Sequence, residues 1–128
     1  MKKILSIIFA AALLAGCTGN KAEDAAEAFI SNYLKMDYDK AASYCDENVA
    51  SNLLQAGEGV NSLDSVMLAK VRDAAANTTF EIVAVDTKSD KDKAFVQYKI
   101  FPVYRQEGQQ MQMTLTRQGG KWLVSALE

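Results

Sequence analysis

The sequence predicts an α+β domain in which N-terminal helices pack on a curved, four-stranded antiparallel meander sheet. Two observations carry this reading. From residue 21 to about residue 77 apolar side chains recur at the i, i+3, i+4 spacing of amphipathic helices, and from residue 80 onward the spacing falls to two. The strand segments are joined by turns short enough for antiparallel neighbours, and a run of helices followed by a run of strands is the α+β pattern rather than an alternating one.

The chain opens with Met1, Lys2 and Lys3, then an apolar stretch from Ile4 to Leu14 broken only by Ser6. These are the charged and apolar regions of a secretory signal, and the stretch falls short of the roughly 20 apolar residues that span a bilayer. It ends in Leu14-Ala15-Gly16-Cys17, which resembles the lipobox of bacterial lipoproteins. The resemblance implies cleavage after residue 16, a diacylglycerol on Cys17, and membrane attachment without a transmembrane helix. In enteric lipoproteins an Asp after the cysteine retains the protein at the inner membrane; here that residue is Thr18, so the outer membrane of a Gram-negative cell is expected. Residues 17–20 form a short linker, and Thr18 to Asn20 reach at most about 10 Å.

The first helix is expected from Lys21 to Lys35, with Ala22, Ala25, Ala26, Phe29, Ile30, Tyr33 and Leu34 on one face and an Asn20/Glu23 capping box at its start. Asp37 is placed to cap a second helix whose inner face is Ala41, Ala42 and Cys45 and whose end falls near Asp46 to Asn48. Val49 to Gln55 reads as a further short turn and Ala56-Gly57-Glu58-Gly59 as a loop. Ser62 then caps a third helix with Leu63, Val66, Met67, Val71, Ala74 and Ala75 on its apolar face.

The strands follow by strict alternation. Phe80, Ile82 and Ala84 alternate with Glu81, Val83 and Val85; Ala94, Val96, Tyr98 and Ile100 with Phe95, Gln97 and Lys99; Met111, Met113 and Leu115 with Gln112, Thr114 and Thr116; and Trp122, Val124 and Ala126, the inner set of the last strand, with Leu123, Ser125 and Leu127. Turns are expected at Lys88 to Asp92, around Gly108, and at Gly119-Gly120. Pro102 cannot donate to a ladder and should mark a bulge or an edge. Residues 21–128 are thus expected to form one domain on one core.

Composition excludes more than it selects. Removing residues 1–16 leaves 12 basic against 16 acidic side chains, a net charge of −4 with no basic stripe, which argues against a nucleic-acid partner. The chain has no histidine, and so lacks the commonest metal ligand and the most usual general base. If Cys17 carries lipid, Cys45 has no cysteine left to pair with, and its spacing with Ala41 and Ala42 makes it a small buried residue. Asp86, Asp90 and Asp92 could ligate Ca²⁺, but Lys88, Lys91 and Lys93 interleave with them and the bend-forming glycine of a calcium loop is missing. No metal and no cofactor are expected.

Phe29, Tyr33-Leu34, Asp37-Tyr38, Lys40-Ala41 and Tyr44, together with the ending Gly120-Lys121-Trp122-Leu123-Val124, resemble the domain-of-unknown-function lipoproteins of the DUF4878 type, in the NTF2-like, cystatin-like-fold superfamily. The likeness runs over residues 21–127, and the segment Val60 to Asn77 departs from it by being long enough for a full helix. It implies a half-open cone whose mouth can hold a small apolar ligand, with Phe29, Tyr33, Tyr98 and Trp122 as the candidate lining. Some superfamily members, similar to ketosteroid isomerase or scytalone dehydratase, catalyse in that cavity; no catalytic position carries over to this chain. The expectation is a lipid-anchored, non-enzymatic envelope protein that binds a small apolar ligand or a protein partner, in an oligomeric state the sequence does not set. The alternatives are an inhibitor or immunity-type lipoprotein, presenting Ala56 to Asn61, and an isomerase or dehydratase.

Overall fold

The computed structural model describes residues 21–103 and 106–128. Cys17, its leader and its linker lie outside the described residues. Among the described residues four helices precede four strands: α1 (Lys21–Leu34), α2 (Tyr38–Ala42), α3 (Glu47–Asn61), α4 (Ser65–Ala76), β1 (Thr79–Asp86), β2 (Lys93–Phe101), β3 (Gln109–Gln118) and β4 (Lys121–Leu127). The strands form one antiparallel sheet in the order β1-β2-β3-β4, a meander as predicted.

Helix α1 lies on the inner face of this sheet, against β4, β1 and β2; α2 packs beside it, and α3 packs on α2 and β4. Its side chains Ala22, Ala26, Phe29 and Ile30 are buried, and they meet Ala94, Val96 and Tyr98 of β2, Met113 and Leu115 of β3 and Val124 of β4. Each fully buried side chain of the size of Met113 or Leu115 contributes about 1.5–3 kcal/mol, so the central strands and α1 hold the domain together. At the end of α1 the chain turns through Met36, which takes the left-handed φ of 63° usually given to glycine. The Asp37 N–H donates to the Asn32 carbonyl at 3.0 Å across this turn, and the Asp37 side chain then accepts from the Lys40 N–H to cap α2.

Helix α2 is shorter than expected, because residues 44–46 serve the sheet. The Val124 N–H donates to the Tyr44 carbonyl at 2.8 Å and the Asp46 N–H to the Val124 carbonyl at 2.9 Å, so this segment covers part of the free edge of β4. Asp46 caps α3, its side chain accepting from the Val49 N–H.

The segment read as a turn and a loop, Val49 to Gly59, is helical throughout within α3. A glycine in a helix costs about 1 kcal/mol relative to alanine, but Gly57 is buried against the Tyr38 ring. A Cβ there would lie 3.1 Å from Cβ, Cγ and Cδ2 of Tyr38, so the glycine brings α3 close to α2. Ser62 closes α3 and does not open the next helix; Asp64 caps α4 through the Met67 N–H.

Two bulges break the strict alternation. In β1 the register shifts between Ile82 and Ala84, so Phe80, Ile82 and Val85 turn toward the core and Ala84 does not. In β4 it shifts opposite Thr114 and Leu115, so Leu127, rather than Ala126, pairs with the inward Met113. Ser125 at that bulge bonds the Thr116 hydroxyl at 2.8 Å and the Thr114 carbonyl at 3.3 Å. Pro102 falls just past the end of β2 instead of inside it. The turn that follows ends on Gly108 at φ +77°, where a Cβ would come within 2.6 Å of the Phe101 ring.

Candidate functional site

In a meander, alternate turns lie at the same end of the sheet. The β1–β2 turn and the β3–β4 turn share one end; the β2–β3 turn and the start of β1 share the other. The candidate aromatic residues divide between these two ends.

At the β2–β3 end, Phe29 and Tyr33 stack with ring centroids 6.0 Å apart, and Tyr33 meets Tyr38 edge-on at 5.8 Å. Phe29 and Tyr98 are buried, whereas Tyr33 is 43% exposed. Burial, and secondarily the neighbouring Tyr33, pushes the Tyr98 hydroxyl up to about 12, and the same two causes raise Tyr38. Tyr38 joins this cluster without any signal in the spacing of α1, because its contact with Tyr33 depends on the turn at Met36.

At the other end, Trp122 is half-buried and lines an open groove of about 620 Å³. The walls are Asp24, Ala25 and Ala28 of α1, Ser43 and Tyr44 after α2, and Gly120 to Leu123. The Arg117 guanidinium lies 4.9 Å above the Trp122 ring, an exposed cation–π pair worth about 0.5–1 kcal/mol.

The four residues expected to line one cavity therefore do not converge. Tyr98 pairs with Met111 and Trp122 with Arg117, six positions further along β3, or about 20 Å at the rise of a strand. Phe29, Tyr33 and Tyr98 stand together at one end, and Trp122 stands at the other. Sequence alternation places a residue on a face, but it does not say where along that face a helix residue will land.

The titratable groups offer little reactive chemistry. The buried Cys45 donates its thiol to the Ala41 carbonyl at 3.4 Å, and burial, with Asp46 beside it, pushes the thiol up to about 12. A thiol in that state is a poor nucleophile. Glu23 is raised by partial burial and then by the like charges of Glu27 and Asp24. In the acidic β1–β2 turn, Asp86 accepts the Ser89 hydroxyl at 2.6 Å and the N–H groups of Lys88 and Ser89, which hold its carboxyl below the ordinary value. Asp90 accepts the Asp92 N–H at 2.8 Å, so these carboxylates order their own turn. Among the described residues no three potential metal ligands converge.

Helix α4 differs from the rest. It buries no residue. Leu68, Val71 and Ala75 are half-buried, while Val66 is 64% exposed and Met67 45% exposed, next to the exposed Leu63.

Residues 1–18 match the model of the prokaryotic membrane lipoprotein lipid attachment site. The chain thus carries a lipid-attachment site at its N-terminus, as the lipobox reading anticipated, and this supports a lipid-anchored protein of the cell envelope. No curated protein and no solved structure matches the chain. No helix among the described residues is long and apolar enough to cross a membrane.

Proposed function

We propose that this lipid-anchored protein is a non-catalytic binding module that engages another envelope protein through the apolar row Leu63, Val66 and Met67. The observation that carries the reading is helix α4, which presents Val66 and Met67 to solvent beside the exposed Leu63 that precedes its cap, while burying none of its own residues. Exposed apolar side chains gathered on one element mark an interaction surface more often than scattered ones do, and Met67 adapts to an irregular partner. Its absence of catalysis is supported by the lack of histidine and by the state of Cys45, whose thiol is buried and neutral. Thr18 after the lipidated cysteine favours the outer membrane as the site of anchoring. The inhibitor reading loses its loop, because Ala56 to Asn61 is helical, and would have to act through α4 as well.

A photo-crosslinking residue placed at Met67 in cells should give a discrete adduct, and Val66→Glu should abolish it without unfolding the domain. The same probe at Gln97, on the opposite face of the sheet, should give none. Failure of Met67 to crosslink would remove the proposal. A second reading, a small apolar ligand, is supported by the groove beside Trp122, and native mass spectrometry of the delipidated domain distinguishes it: a stoichiometric bound molecule lost in Trp122→Ala would move the binding role there.

A further inference from the structure

The lipid-attachment site and the way α1 meets the sheet together bear on which end of the domain lies near the membrane. Once Cys17 carries lipid, Thr18 to Asn20 allow at most about 10 Å between the bilayer surface and the start of α1. Strand β3, with ten residues, spans about 34 Å, so the linker tethers only the end of the sheet at which α1 starts and leaves the other end free of that constraint. The first turns of α1 sit at the end where β4 begins, since Asp24, Ala25 and Ala28 form one groove with Gly120 to Leu123. The β1–β2 turn is bound to the same end: the Arg117 N–H donates to the Asp92 carbonyl at 2.9 Å, and its Nη2 to the Lys91 carbonyl at 3.3 Å.

We propose that this end, carrying the β1–β2 and β3–β4 turns and the groove of Trp122, rests on the headgroup layer of the bilayer that holds the lipid. The side chains there suit an interface. Trp122 is an amphipathic ring with Arg117 over its face, and Lys88, Lys91, Lys93 and Lys121 are exposed around it. With Lys21 at the start of α1 these bases number six, and they stand against six acids, Asp86, Asp90, Asp92, Glu23, Asp24 and Glu27, so the end is close to neutral and suits a zwitterionic surface. Attraction to anionic lipid would add about 1 kcal/mol for each unmatched base, and none is unmatched here. Reach, not charge, sets the orientation, and the proposal therefore expects little dependence on salt. Its consequence is that Tyr33, Tyr38 and the C-terminal end of α4, which leads directly into Thr79 at the start of β1, point away from the bilayer into the aqueous compartment.

Trp122 is the single tryptophan of the chain and reports on this directly. The full lipidated protein is reconstituted in vesicles of phosphatidylethanolamine and phosphatidylglycerol that contain a headgroup nitroxide lipid. Loss of most of the Trp122 emission is expected, nearly unchanged between low and high salt, with no loss for the unlipidated Cys17→Ser protein mixed with the same vesicles. Spin labels on Lys91→Cys and Met67→Cys give the second readout; Cys45 is buried and its thiol stays unlabelled. Lys91→Cys should show restricted access to a water-soluble relaxant on the vesicle and Met67→Cys should not. Full Trp122 emission in the nitroxide vesicles, or protection of Met67→Cys in place of Lys91→Cys, would overturn the orientation. Either result leaves the partner-binding role of α4 to its own crosslinking test.

Discussion

Helices α1 and α4 are similar in length and both show an apolar face in sequence, yet α1 is the centre of the domain and α4 stands almost outside it. The apolar row of α1 meets the inner residues of three strands and is removed from water. The row of α4 finds only the half-covered side of Leu68, Val71 and Ala75. Periodicity alone says that a helix has an apolar face. What that face is worth depends on whether a surface waits to receive it, and a face left open is available for something else.

The largest effect expected from this contrast is at Phe29. Replacing it with alanine removes a buried ring from the α1–sheet interface and should cost about 3–5 kcal/mol in chemical denaturation. That is a large share of the 5–15 kcal/mol that stabilises a typical domain. A loss under about 1 kcal/mol would mean that α1 is no more central than α4.

Next in size is an alkaline loss of stability, which belongs to the α1 side of the molecule because Cys45 and Tyr98 are both in the core. Their pKa values rise on folding, from 9.0 and 10.0 to about 12, so the fold favours the neutral forms. That contribution is fully present below the unfolded values and disappears as pH climbs through the folded ones. The denaturation midpoint should be flat up to about pH 9 and then fall, by on the order of a few kcal/mol, as pH approaches 12. In Cys45→Ala the fall should start only near pH 10, where Tyr98 begins to titrate in the unfolded chain. An unchanged onset in the variant would show that the thiol is not held neutral.

Trp122→Ala comes third. A Trp122 fully enclosed in a cone would cost as much as Phe29, but the ring stands half-buried at the rim of the groove under Arg117. About 1–2 kcal/mol is expected by thermal or chemical unfolding, less than for Phe29. A cost equal to that of Phe29 would place the ring in the core after all.

The smallest effect belongs to α4. Val66→Glu should change stability by no more than about 0.5 kcal/mol, as an exposed site does. Loss of several kcal/mol would show that α4 packs on the domain in solution, and the docking proposal would fall with it.

The sequence by itself determined the lipid-attachment site, the helix-then-strand order, the four strands and most of the core, because each of these is written in local pattern: a leader with its box, a spacing of 3.6 or 2, a turn residue. Alternation also groups Val96 with Tyr98 and Met113 with Leu115 and sets Val124 on the inner face, and all five are buried. Tertiary structure alone decided the rest. The glycines at 57 and 59 read as a loop locally, and only the Tyr38 ring across the interface makes Gly57 a helix-packing residue. The bulges at Val83 and Ser125 reverse the phase of alternation, and the local pattern of apolar residues did not reveal them. The separation of Trp122 from Phe29, Tyr33 and Tyr98 depends on where α1 sits along the sheet. The exposure of α4 depends on the absence, among the described residues, of a surface opposite it, and both are long-range relations between segments that the spacing of residues within one segment does not encode.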